Sequence, residues 1–199
     1  NTWKVSMFGG LARHEAITKD GFATVVCHEL GHHLGGAPKK SSWYGASWAS
    51  NEGQADYFGT MKCLRKYMEK DNNIRIVKTL RVPALVTKKC SANFTNTADI
   101  AVCKRIALAG LSLGNLFKDL RGLTTDLSFS TPDTKVVTKT NHNHPLPQCR
   151  LDTYFAGAIC DKDHYSDVSN TDANEGVCLR AEGKKDGIRP LCWYKPEAM

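Results

Sequence analysis

The sequence predicts a mainly helical α+β domain with a small sheet or ribbon at its N-terminus, stapled by disulfides. Three observations carry this expectation. Apolar residues recur at helical spacing behind capping residues in several long segments, the first residues alternate before a glycine pair, and eight cysteines are spread singly along 199 residues.

Residues 2 to 14, "TWKVSMFGGLARH", alternate roughly between polar and apolar types and end in Gly9 and Gly10, the pattern of an extended edge strand or ribbon. A helix follows. Thr18 or Asp20 can cap it, Phe22, Val25, Val26 and Leu30 recur at helical spacing, and Gly35, Gly36 and Pro38 stop it. A second helix is expected from a Ser50 or Asn51 cap to about Glu69. A third spans about 97 to 120, capped by Thr97, with Ile100, Cys103, Ala107 and Leu111 facing inward. Residues 121 to 143 are polar and rich in turn formers, as in a ribbon or mobile loop. Pro147 suits the first turn of a further helix running through "QCRLDTYFAGAIC". Residues 160 to 199 carry three cysteines among polar residues and glycines, and read as an irregular, disulfide-stapled tail of a single domain covering 1 to 199.

Composition narrows the classes of partner. The formal charge is +7, but lysines and arginines are mixed with acids, as in "KYMEKDNN", with no aromatic-interleaved basic stripe, so nucleic acid is not an expected partner. The longest apolar run, "IALAGLSLGNLF", is broken by two glycines and an asparagine and falls short of the ~18 residues of a membrane span. An even number of cysteines without any CxxC pair favours up to four disulfides over a thiolate metal site, hence an oxidising compartment. Their pairing is open, since eight cysteines allow 105 connectivities.

The stretch "VVCHELGHHLGG", residues 25 to 36, carries the chemistry. Positions four apart share a helix face, so His28 and His32 can offer imidazole nitrogens to one ion. Glu29, one position along, comes beside that ion rather than onto it, where a base for a zinc-activated water belongs. Zinc in a hydrolytic site needs a third protein ligand and one open position. Pro38 stands where a metzincin-type third histidine would be and cannot ligate. Glu52 in "NEGQADYFG" can, and Asp56, four residues on, can accept a hydrogen bond from the ring nitrogen of His28 that faces away from the ion. His33, about 100° around the helix, is expected to be structural, and Cys27 to be a disulfide or buried thiol.

HELGH at 28 to 32 with NEGQAD at 51 to 56 resembles the gluzincin zinc metallopeptidases, thermolysin among them, whose second motif is NExxSD; nineteen residues separate His32 from Glu52, the thermolysin-like spacing class. "HPLPQCR", residues 144 to 150, is similar to the His-Pro segment and following arginine of HtpX-like and BepA-like peptidases. The likeness covers about residues 5 to 69 and 144 to 155. Unlike HtpX-type enzymes, this chain is rich in cysteine. The resemblance implies a zincin-like fold with zinc held by His28, His32 and Glu52, Glu29 as general base, Asp56 behind His28, His144 stabilising an oxyanion, and Arg150 supporting the site or contacting the carboxylate. His142, His164, Tyr154 and Tyr165 are alternative sources of the oxyanion donor. It also implies that "VSMFGG", around Val5 to Gly9, is an edge strand on which a peptide or protein substrate adds as an extended strand. The expected protein is thus a monomeric, secreted or periplasmic zinc endopeptidase. Two alternatives are a zinc hydrolase of cell-wall peptides and a non-catalytic binding module on a peptidase scaffold.

Overall fold

The computed structural model describes residues 2, 4–42 and 45–196. It is an α+β arrangement of helices α1 (Gly9–Ala12), α2 (Lys19–Leu34), α3 (Glu52–Phe58), α4 (Leu64–Met68), α5 (Asn73–Val77), α6 (Ala84–Asn93), α7 (Thr97–Leu120) and α8 (Pro147–Ile159). Strands β1 (Lys39–Ser42) and β2 (Gly45–Ser50) form a two-stranded antiparallel hairpin between α2 and α3.

The small sheet is therefore not N-terminal. Val5 to Phe8 have no regular structure, Gly9 begins a single helical turn, and Phe8 is 74% exposed. Alternation alone does not make a strand. It needs a partner to take its backbone hydrogen bonds, and the described strands β1 and β2 pair with each other. Trp3, within the expected ribbon, lies outside the described residues.

The helix-bearing segments match the spacing argument more closely. Thr18 caps α2 by accepting from the Gly21 N–H, while Asp20 is drawn instead into a bidentate pair with Arg105 of α7. Gly35 ends α2 and Gly36 turns the chain away at φ +74°, a conformation that costs glycine little. Asn51 caps α3, which continues through a π-turn at Gly59–Cys63 into α4, so the expected helix to about Glu69 is present with one widened turn. Asn96, one residue before the expected Thr97, caps α7.

Helix α7 is long and apolar enough to cross a membrane by length and composition, with a mean hydropathy of 1.4 over its best window. That window is 67% buried, because α2, α5, α6 and α8 pack around it, as around a core helix. Cys27, Leu64, Met68, Val102, Ile106, Leu151 and Ile159 meet in the main core. The disulfides are Cys27–Cys63, Cys90–Cys103, Cys149–Cys192 and Cys160–Cys178. Four such bonds place the chain in an oxidising, extracellular-type compartment. The last two staple the segment after α8, whose described part holds a single 3-10 turn, Arg180–Glu182.

Candidate metal centre

Two backbone seams bring the predicted residues together. Helices α2 and α3 pack so closely at Gly31 that a Cβ there would stand 2.7 Å from the Ala55 carbonyl oxygen. Only a residue without a side chain permits this approach, which sets the His28/His32 face of α2 against the first turn of α3. The segment entering α3 is fixed as firmly. Ser50 Oγ donates to the Gly36 carbonyl, Asn51 N–H to the Pro38 carbonyl and Gln54 Nε2 to the Gly35 carbonyl.

Glu52, the first residue of α3, is buried, and its Oε2 is the focus of the site. His28 Nε2 lies 3.3 Å from it, His32 Nε2 3.6 Å and His144 Nε2 3.1 Å. In spite of these three neighbours, Oε2 makes no hydrogen bond of acceptable geometry. The other ring nitrogens of His28 and His32 are already engaged. His28 Nδ1 donates to Asp56 Oδ1 at 2.6 Å and His32 Nδ1 to the Ser50 carbonyl at 2.9 Å, so each neutral imidazole turns an Nε2 lone pair toward the carboxylate. Lone pairs facing each other repel unless a cation or proton lies between them.

His28, His32 and Glu52 accordingly form a group able to hold a metal ion, with ligand atoms all within 4.8 Å of one another. Metal bonds of 2.0–2.2 Å in tetrahedral geometry separate ligand atoms by roughly 3.3–3.6 Å. The His28–Glu52 and His32–Glu52 distances fit that interval. Two other acid–cysteine groups, around Cys149–Cys192 and Cys160–Cys178, have no thiolate to offer because their sulfurs are in disulfides.

Electrostatics follow the same geometry. Burial would lower the pKa of His28, but the charge and hydrogen bond of Asp56, with help from Glu52, raise it to about 9. Burial and the neighbouring His28 charge lower that of His32. Burial works to raise the Glu52 carboxyl, yet the close approach of His28 and the hydrogen bond from Lys40 hold it well below the ordinary carboxylate range. Asp56, fully enclosed, is likewise held down against burial by Arg150 and His28. Arg150 grips Asp56 through two bonds, Nε to Oδ2 at 2.8 Å and an η-nitrogen to Oδ1 at 2.7 Å, and its guanidinium lies 3.9 Å from the Phe117 ring centroid.

The structure thus gathers His28, His32, Glu52, Asp56, His144 and Arg150 into one connected group. Glu29 sits half-buried one position from His28 and, among the described residues, takes part in no ion pair. Of the alternative donors, His164 and Tyr165 bond Glu69 instead, His142 approaches Asn51, and Tyr154 is wholly buried beside Arg150. His33 turns to the exposed Trp48, ring centroids 4.6 Å apart. Sequence reasoning missed Lys40, whose Nζ bonds Glu52 Oε1 at 2.7 Å; it is one of two lysines after Pro38, with no local signal to single it out. A cavity of about 490 Å³ lies elsewhere, lined by His33, Phe58, Lys62 and His164 among others and sharing no residue with the metal group. No family model, no curated protein and no solved structure matches the chain.

Proposed function

We propose that this chain is a gluzincin-type zinc endopeptidase, secreted or periplasmic, in which His28 Nε2, His32 Nε2 and Glu52 Oε2 hold the ion. The carrying observation is the convergence of imidazole nitrogens on one buried carboxylate oxygen with their other nitrogens already committed as donors. A bound zinc ion supplies Lewis acidity, polarising a carbonyl and making water a nucleophile near neutral pH. The protein's own groups do the rest. Glu29 accepts a proton from the attacking water as its oxygen bonds the scissile carbonyl carbon, then delivers that proton to the amide nitrogen as the C–N bond breaks. His144, whose side chain is 57% exposed, is available to donate to the oxygen that gains charge. Asp56, held by Arg150, keeps His28 in the tautomer that presents Nε2.

A substrate recognised along its backbone as an extended strand needs no deep cavity at the metal group. With no strand at Val5 to Gly9, the hairpin β1–β2, adjoining Glu52, is the described element on which an extended peptide would pair.

Elemental analysis and a casein assay test the reading. One zinc per chain and chelator-sensitive hydrolysis are expected, and Glu29→Gln should keep the zinc while losing about 10²–10⁴-fold in rate. Full activity in Glu29→Gln, or hydrolysis indifferent to chelator, would overturn it.

A further inference from the structure

We propose that Lys40 is a positioning residue that ties off one oxygen of Glu52, so that this carboxylate offers the metal a single atom. The inference rests on the zinc reading above and adds to it a device for coordination number. A carboxylate can bind a cation through one oxygen or both, and the second mode consumes a position that a hydrolytic site must leave open. In this structure the two Glu52 oxygens have different neighbours. Oε2 faces the three imidazoles, whereas Oε1 accepts a charge-assisted hydrogen bond from Lys40 Nζ at 2.7 Å.

The arrangement does not depend on that ion pair to hold it together. Lys40 stands on β1, whose neighbour Lys39 pairs with Ser50 two residues before Glu52, while Asn51 N–H donates to the Pro38 carbonyl. These backbone bonds just before the lysine set its anchor relative to the first turn of α3, and Ser41 pairs with Ala46 beyond it, across a register shift at Lys40 itself. The lysine side chain is 38% exposed and the glutamate 4%, so the ammonium reaches the carboxylate from the solvent side and shuts off the edge by which Oε1 would swing toward the metal. Asp56 and Arg150 secure His28 from behind; Lys40 does the equivalent for Glu52, from another element.

The test loads wild type, Lys40→Met and Lys40→Arg with zinc(II) or cobalt(II) and reads the coordination shell by X-ray absorption and by cobalt d–d bands. Wild type and Lys40→Arg, which retains a charged donor, should be four-coordinate. Lys40→Met should gain one oxygen, become five-coordinate and lose most of the d–d intensity. An unchanged shell in Lys40→Met overturns the role of Lys40 while leaving the metal site standing, whereas wild type that takes up neither ion overturns both. A second measurement needs no variant. The Lys40 ammonium protons, followed by ¹⁵N NMR in the wild-type protein, should stay protected when zinc is added, and their loss would mean that the ammonium merely stands in for the metal.

Discussion

Replacing Arg150 by Met isolates the buried ion pair behind His28. Arg150 is 2% exposed and Asp56 1%, so water screens neither. Removing the guanidinium strands a carboxylate that loses two hydrogen bonds of 2.7–2.8 Å and keeps only His28 Nδ1. Breaking a buried pair from one side costs about 3–5 kcal/mol, more than the apolar packing methionine restores against Phe117. For a chain of this size that corresponds to a Tm lower by roughly 6–20 °C. The sign with pH follows from Asp56, whose folded pKa is depressed. Its contribution is complete above the unfolded value of about 3.9 and fades as pH falls through the folded value, so the deficit should be constant from pH 5 to 8 and shrink only in acid. Urea unfolding with disulfides intact and chelator present measures it. The double variant Asp56→Leu/Arg150→Met should recover part of the loss, since it leaves no stranded charge. A loss below about 1 kcal/mol in Arg150→Met, or additivity in the double variant, would refute the argument.

Two further outcomes are expected. Gly31→Ala must push α2 and α3 apart, because the new Cβ meets backbone atoms of Ala55 that cannot yield; a loss of about 1–3 kcal/mol and weaker zinc binding by competition titration should appear together, and unchanged affinity would separate the seam from the site. Burial, reinforced by the Asp133 charge, raises Asp152 to about 6 against the hydrogen bonds it accepts. Its protonated form suits the fold, so the contribution of Asp152 to stability is largest below pH ~3.9 and falls as pH rises to about 6, by at most ~3 kcal/mol. Asp152→Asn should flatten that slope in urea titrations at successive pH values.

The residues of the candidate metal group were legible because helical periodicity converts sequence spacing directly into shared faces: four residues set His28 over His32, and four more set Glu52 over Asp56. Their meeting in space was legible only through resemblance, since it depends on the Gly31–Ala55 seam between two helices. The N-terminal segment misled because alternation reports a face without reporting a partner. The hairpin went unpredicted for the converse reason. "KKSS" and "GASWAS" carry little alternation, and their pairing is imposed by the tight bonds linking Pro38 and Gly36 to Ser50 and Asn51. Helices α5 and α6, short and weakly patterned, owe their positions to packing on α7. Lys40 finds Glu52 through that same hairpin, a contact across the fold that local sequence does not encode.

The covalent cross-links have a division of their own. Cys27–Cys63 and Cys90–Cys103 close within residues 27 to 103, Cys149–Cys192 and Cys160–Cys178 within residues 149 to 192, and none spans residues 104 to 148. A single cut in the polar stretch from 121 to 143 would therefore leave two oxidised pieces joined by no covalent bond. One would keep His28, His32, Glu52 and Asp56 and the other His144 and Arg150, so the grip of Arg150 on Asp56, with the packing of α7 on α8, would become an association between separate chains.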